Sequence, residues 1–184
     1  MIVGFTGRKR SGKSTAASAL VSAGYSRMAF ADPLKQVVRL LVVKAGVTPG
    51  RVERYLREDK EVIIPEIGRS VRDMAQTLGT EWGRERVHPD FWVILAKSAL
   101  KNRAEIGEID TVFEDVRFEN EAALIREMGG MVIHVSRPGL VDDDLHQSEA
   151  GIAVADTDLH IDNHSDPDAL RRAVMVAVEM WAAK

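Results

Sequence analysis

Cysteine is missing from this chain of 184 residues. That excludes a disulfide framework, a thiolate metal centre and a cysteine nucleophile. Aromatic residues are scarce at 5%, and no apolar run approaches the roughly 20 residues a membrane-spanning helix needs. The formal net charge is only -3, which excludes nucleic-acid binding by bulk positive charge and makes any anion site a local one. The start, Met1-Ile2-Val3-Gly4-Phe5, carries no charged leader, so the expectation is a cytoplasmic protein without a secretion signal. What remains is ordinary for a globular chain, 45% hydrophobic and 29% charged, with length for one domain and one core.

Strands and helices alternate along it. Ile2 to Thr6 is short, apolar and bounded by glycine, which suits a strand buried in a parallel sheet. Gly12 to Ala23 reads as a helix and Tyr25 to Phe30 as a second strand. Asp32-Pro33 reads as a helix start, with Asp32 as N-cap and Pro33 in the first helical position. The stretch from Gly46 to Pro65 reads as helix and loop outside the sheet. Ser70 to Leu78 is a helix with Val71, Met74, Ala75 and Leu78 as its apolar stripe and Arg72 and Gln76 on another face. Pro89 to Ala104 is a further helix. Thr111 to Phe113, Met131 to Val135 and His160 to Asp162 are strands. Between and after them come helices at Glu119 to Met128 and from Asp166-Pro167 onward. This order predicts a five-stranded parallel sheet with helices on both faces.

Gly7-x-x-x-x-Gly12-Lys13-Ser14 follows the first strand and opens the first helix, the context that a nucleoside triphosphate loop requires. Glycines let backbone N–H groups turn inward as a nest for anionic oxygens, and the helix start adds its positive dipole end. Lys13 is placed for the β- and γ-phosphates and the Ser14 hydroxyl for Mg²⁺, with Thr15 as the less favoured stand-in. Gly7, Arg10, Ser11 and Gly12 complete the donor loop. Asp115 ends an apolar strand, where a carboxylate can serve Mg²⁺ or orient the attacking phosphate. Arg117 can bridge two phosphates as a forked cation, or the two residues can simply pair with each other. No Asn-Lys-x-Asp base-reading motif of GTP switches is present.

Five blocks together resemble the deoxynucleoside monophosphate kinases of tailed bacteriophages: GRKRSGKST, FADPLK (30–35), SVRDMAQTLGTEWGR (70–84) with FW at 91–92, EDVRFENEA (114–122), and VIHVSRPG, DLHQSEAGI and DTDLHIDN between 132 and 163. The chain departs from that pattern in Gly-Lys-Ser-Thr, where some members have Gly-Lys-Asp-Thr, and in a short 46–69 segment. The resemblance implies a P-loop kinase fold spanning 1–184, with a helical acceptor-binding insert at 46–104 and a lid at 137–158. It implies transfer of the γ-phosphate of ATP to a deoxynucleoside monophosphate with Mg²⁺, in the host cytoplasm. It further implies a homodimer, with no nucleic-acid polymer and no membrane as partner.

The resemblance also distributes roles. Lys35, whose place in the first turn of a helix opposes the dipole, goes to the acceptor phosphate. Asp32 is either a cap or a group near Mg²⁺ or that phosphate. Arg72 goes to the acceptor phosphate, Gln76 to its base or sugar, and Trp92 either stacks on the base or packs in the core. Arg137 goes to the transferring phosphoryl group under the lid, and Asn163 to the adenine side. His146 and Glu149 share a helix face and bind either each other or ligand. The metal-like spacing of His160 and His164 reads as coincidence. Two alternatives stand beside this: a P-loop kinase for another phosphorylated metabolite, of the phosphomevalonate or dephospho-coenzyme A type, and a regulator that binds ATP without turnover.

Overall fold

The computed structural model describes residues 1–140 and 151–183. They divide into two compact units, Met1–Phe30 with Ala96–Lys184, and Ala31–Leu95. The first is built on a five-stranded parallel sheet. Its strands are β1 (Ile2–Thr6), β2 (Ser26–Met28), β5 (Thr111–Phe113), β6 (Met131–Ser136) and β7 (Leu159–Asp162), in the order β2-β5-β1-β6-β7. The β1 register sets Gly4 beside Phe113 on one side and Val132 on the other. The expected sheet is therefore present, with the phosphate-loop motif leaving its central strand.

Period-two alternation decides which helix covers which face. Val3 and Phe5 of β1, with Met131, Ile133 and Val135 of β6, pack against α1 (Lys13–Ser22) and α7 (Pro167–Ala182). Alanines 16, 17 and 19 let α1 approach closely, and Leu170, Val174 and Val178 of α7 complete this core. Phe5 and Leu20 are fully enclosed, and each such side chain contributes roughly 1.5–3 kcal/mol by leaving water. The opposite face takes α6 (Glu119–Glu127). There Gly4 admits Ile125 and Val116, whose methyls lie 2.4 and 2.9 Å from where a Cβ on residue 4 would sit. The last helix begins as expected: the Asp166 carboxylate caps it, accepting from Ala169 N–H at 2.8 Å.

The second unit holds α2 (Asp32–Lys44), α3 (Pro49–Arg57), a short hairpin of β3 (Ile63–Ile64) and β4 (Arg69–Ser70), and α4 (Val71–Gln76). Val38, Val42, Val52, Tyr55, Ile64 and Val71 form its core, with Met74, Ala75 and Leu78 packed against it. The apolar stripe expected for 70–78 thus faces inward. Ser70 caps α4 through a bond from Asp73 N–H at 3.1 Å. Arg51 ties α3 to the turn after β3 by bonds to Glu66 at 3.2 Å and to the Tyr55 hydroxyl at 3.1 Å.

Three features differ from the sequence expectation. The N-cap of α2 is Ala31, not Asp32, and no side chain caps it. Asp32 already sits inside the helix, where its carboxylate lies 3.6 Å from Lys35 one turn on. That pairing supplies the local countercharge that a cation in a first turn needs. Secondly, the 46–69 stretch contains the β3–β4 hairpin. Thirdly, the helix begun at α4 continues to Val87 as a π-helix, Thr77–Val87, before α5 (Phe91–Glu105). Two of its glycines admit close neighbours. A Cβ on Gly83 would lie 2.8 Å from the Trp92 ring, and one on Gly79 would lie 3.1 Å from Leu34. Among the described residues no helix is long and apolar enough to cross a membrane.

Candidate functional site

The chain leaves β1 at the sheet's topological switch point, since β5 and β6 flank it on opposite sides. The loop there turns on three residues of positive φ: Gly7 (137°), Arg10 (67°) and Gly12 (112°). Arg10 is the one non-glycine residue with positive φ among those described. Holding an arginine in that region costs on the order of 1–3 kcal/mol, a strain found at ligand-binding loops, and the alternation of backbone hands turns successive N–H groups inward as an anion nest.

Gly7 cannot be replaced without disturbance, because a Cβ there would lie 2.2 Å from the Val135 carbonyl oxygen. Gly12 faces the Asn163 amide and Leu170, at 2.7 and 2.8 Å from the Cβ position. The Lys13 ammonium folds back over the loop and donates to the carbonyls of Gly7 (2.6 Å) and Arg8 (2.7 Å). The Ser11 hydroxyl is fully buried and finds no hydrogen-bond partner among the described residues, a condition that costs about 1–3 kcal/mol. A cradle closed to any Cβ, with an orphaned hydroxyl and a lysine at its rim, fits the phosphates of a nucleotide. Ser14 is exposed and Thr15 half-buried in the first turn of α1.

Asp115 stands two residues beyond β5. Its Oδ1 accepts from Phe30 N–H at 2.9 Å, which ties the exits of β2 and β5 together. A hydroxyl at Ser14 and a carboxylate at Asp115 are hard oxygen donors of the kind Mg²⁺ takes alongside water. Arg117 lies between Asp115 and α6, and its backbone N–H donates to the Glu121 carboxylate at 2.8 Å. Arg137 is exposed immediately after β6. It lines a cleft of about 240 Å³ together with Gly7, Arg8, Ser11, Ser136 and His160. Asn163 is 9% exposed. Its side-chain amide donates to the Ser11 carbonyl at 2.9 Å, and its backbone N–H donates to the Ser136 carbonyl at 2.8 Å. It braces the phosphate loop from behind. The first unit therefore gathers the loop, Asp115, Arg117, Arg137 and Asn163 around the ends of four strands.

The remaining expected residues, Asp32, Lys35, Arg72, Gln76 and Trp92, belong to the second unit. Arg72 and Gln76 lie half-buried on α4, and Arg72 N–H donates to the Lys60 carbonyl at 2.8 Å. Trp92 is 4% exposed and donates from its indole nitrogen to the Gly79 carbonyl at 2.8 Å. That carbonyl also accepts from Arg84 at 2.9 Å. His146 and Glu149, and the 141–150 part of the expected lid, lie outside the described residues.

Sequence reasoning passed over two groups. One is Glu121, a buried carboxylate in the first turn of α6. Its signal was an acid three residues past a phenylalanine that cannot cap a helix. The other is a charged cluster on the α6 side of the sheet. There the fully enclosed Asp158 carboxylate accepts from Arg126 at 2.6 and 3.0 Å and from Ala155 N–H at 2.9 Å, and lies 2.9 Å from His134 Nε2. Burial alone would push that carboxyl up, but these bonds more than offset it and hold it below its ordinary value. Beside it, His160 and His164 lie 3.5 and 3.7 Å from Asp162, which the Ser136 hydroxyl holds below the usual carboxylate range.

Residues 50–174 match the protein family described as deoxynucleotide monophosphate kinase. A putative deoxynucleotide monophosphate kinase of Acanthamoeba polyphaga mimivirus is 32% identical over 162 residues, covering 81% of this chain and 80% of that one. The deoxynucleotide monophosphate kinase of Enterobacteria phage T4 is 35% identical over 101 residues. That match takes in 55% of this chain and 42% of the phage protein, so the chain spans less than half of that relative's length. Among solved structures, an unliganded sugar kinase from Janibacter sp. HTCC2649 superposes with a TM-score of 0.52 at 16% identity, over 97% of this chain and 93% of the other. That last likeness concerns the fold alone.

Proposed function

Since the chain belongs to the deoxynucleotide monophosphate kinase family, we propose that it transfers the γ-phosphoryl group of ATP to a deoxynucleoside monophosphate, giving ADP and the deoxynucleoside diphosphate. The observation that carries this reading is the loop from Gly7 to Ser14, with its three positive-φ residues and the lysine drawn across it. A phosphate oxygen of the acceptor attacks the γ-phosphorus while the β-phosphate oxygen of ATP departs. Little covalent chemistry falls to the protein, so its work is alignment and neutralisation.

Each charge has a proposed task. The Gly7–Gly12 backbone and Ser11 cradle the donor phosphates, and Lys13 releases the loop carbonyls to meet the β- and γ-oxygens. Mg²⁺, when bound, is held by Ser14 and Asp115, with Thr15 beside them, and neutralises the phosphate charge. Arg117 and Arg137 face the group in transfer, where each added cation lowers the barrier because charge spreads over the phosphoryl oxygens. The acceptor set is Asp32, Lys35, Arg72 and Gln76. Trp92 supports that set from beneath, through its bond to Gly79, since its indole is enclosed. Asn163 serves the donor through the loop that it braces.

The test is ADP release from Mg-ATP with each deoxynucleoside monophosphate offered in turn, beside phosphomevalonate and dephospho-coenzyme A. Turnover on one or more deoxynucleotides is expected. Turnover on a metabolite alone would keep the phosphate loop and overturn the acceptor assignment; ATP binding without acceptor-dependent turnover would make the protein a regulator.

A further inference from the structure

Glu121 is the buried group that this mechanism leaves unused. It is 2% exposed, and its Oε2 accepts two backbone N–H bonds, from Phe118 at 3.1 Å and Arg117 at 2.8 Å. A carboxylate is costly to bury unless charge-assisted bonds and a helix N-terminus compensate it, and both are present here. Capping alone does not explain the arrangement. An N3 carboxylate that only completes a capping box accepts from the N-cap N–H, here that of Phe118, and no further bond is required of it. Glu121 instead lies inside the protein and reaches one residue further back, to the residue that carries the guanidinium.

The peptide that precedes α6 is held at three successive points. Asp115 Oδ1 accepts from Phe30 N–H. Val116 N–H donates to the Phe5 carbonyl at 3.1 Å and its side chain is 1% exposed. Arg117 N–H is then held by Glu121. Val116 is thus held against β1, and the Glu121 carboxylate holds the next backbone N–H, that of Arg117.

We propose that Glu121 is a positioning residue for Arg117: by fixing the backbone at 117 from inside the protein, it holds the guanidinium in the line of phosphoryl transfer. This rests on the reading of Arg117 as a phosphate contact. A cation displaced by about 1 Å can cost up to about 100-fold in rate, so the effect belongs in kcat rather than in ATP affinity.

The experiment is a double-mutant cycle on kcat with ATP and the preferred deoxynucleotide. It uses Glu121→Ala, Arg117→Lys and the pair, with Glu121→Gln as the conservative variant and circular dichroism to check folding. Glu121→Ala alone is expected to lower kcat by about 10- to 100-fold, with the KM for ATP changed less than about threefold. In the Arg117→Lys background it is expected to cost less than about threefold more, because its effect passes through Arg117. Glu121→Gln, whose amide oxygen still accepts both bonds, is expected to recover most of the rate. Equal fold-losses in both backgrounds would overturn the inference, as would full activity of Glu121→Ala. If Glu121→Ala fails to fold, the cycle is run with Glu121→Asp, whose shorter side chain draws the carboxylate back from the Arg117 N–H; full activity of that variant, or a loss that persists undiminished beside Arg117→Lys, overturns the inference equally. Undiminished activity of Arg117→Lys and Arg117→Ala would instead remove the phosphate role of Arg117.

Discussion

Replacing Gly83 by alanine adds one methyl where the Trp92 ring already sits. The new carbon would lie 2.8 Å from Cζ2 and Nε1 and 2.9 Å from Cε2, against a comfortable carbon–carbon separation of roughly 3.5–4 Å. The ring must retreat, and it cannot tip freely because its N–H is held by the Gly79 carbonyl at 2.8 Å. Overpacking of this kind costs about 1–3 kcal/mol, and weakening the buried hydrogen bond adds about 0.5–1.5 kcal/mol. Alanine returns up to about 1 kcal/mol through its better helix propensity. The net is a destabilisation of about 2 kcal/mol, or roughly 4–8 °C in Tm for a chain of this size. The measurement is thermal unfolding followed by circular dichroism, with Gly79→Ala as comparison. There the added methyl meets the tip of Leu34 at 3.1 Å, which can move aside, so a loss below about 1 kcal/mol is expected. A Gly83→Ala protein as stable as the parent, or one less affected than Gly79→Ala, would refute the reasoning that the enclosed indole leaves no room for a side chain at 83.

Two further outcomes follow from the geometry. Lys13→Ala gives up two bonds to loop carbonyls, so the fold should survive with a loss of about 1 kcal/mol. Turnover should fall by on the order of 1,000-fold or more, because the phosphates lose their point charge; a normal rate would remove the loop from the mechanism. Asp158 has a folded pKa below its ordinary value, so the unfolded chain takes its proton more readily than the folded one. Its contribution is complete above about pH 4 and is lost as pH falls through the lower folded value. Asp158→Asn should therefore flatten the acid limb of a urea-midpoint profile. At pH 7 it should cost about 2–3 kcal/mol, since Arg126 loses its enclosed partner; a profile parallel to the parent's would refute this.

Local signals carried far in this chain. The strand-glycine-helix succession around Gly7–Ser14, the three-residue strand at Thr111–Phe113 and the Asp166 cap are each written within a few neighbouring residues, and all are present in the structure. What the sequence left open or missed depends on where a helix begins and on how finished elements pack. The sequence left Trp92 between stacking on a base and packing in the core, and the seat beside Gly79 and Gly83 decides for the core. Asp32-Pro33 has the form of a cap, yet the helix starts one residue earlier, with Ala31 as N-cap and the Asp32 carboxylate 3.6 Å from Lys35. Glu121 lay in plain view three residues past Phe118, but its burial exists only once α6 lies against β1.

The bond from Asn163 to the Ser11 carbonyl spans 152 residues of chain. On a ribosome adding about 5–20 residues per second, the glycine loop emerges roughly 8–30 seconds before the amide that props it. Its central strand waits as well, since β5 and β6 pair with β1 from positions beyond 110. A nascent chain thus carries the complete nucleotide motif long before it carries a nucleotide site. Ribosomes that stall short of residue 163 release products with the motif but without its support. Synthesis past residue 163 and the bracing of the glycine loop are in this way coupled.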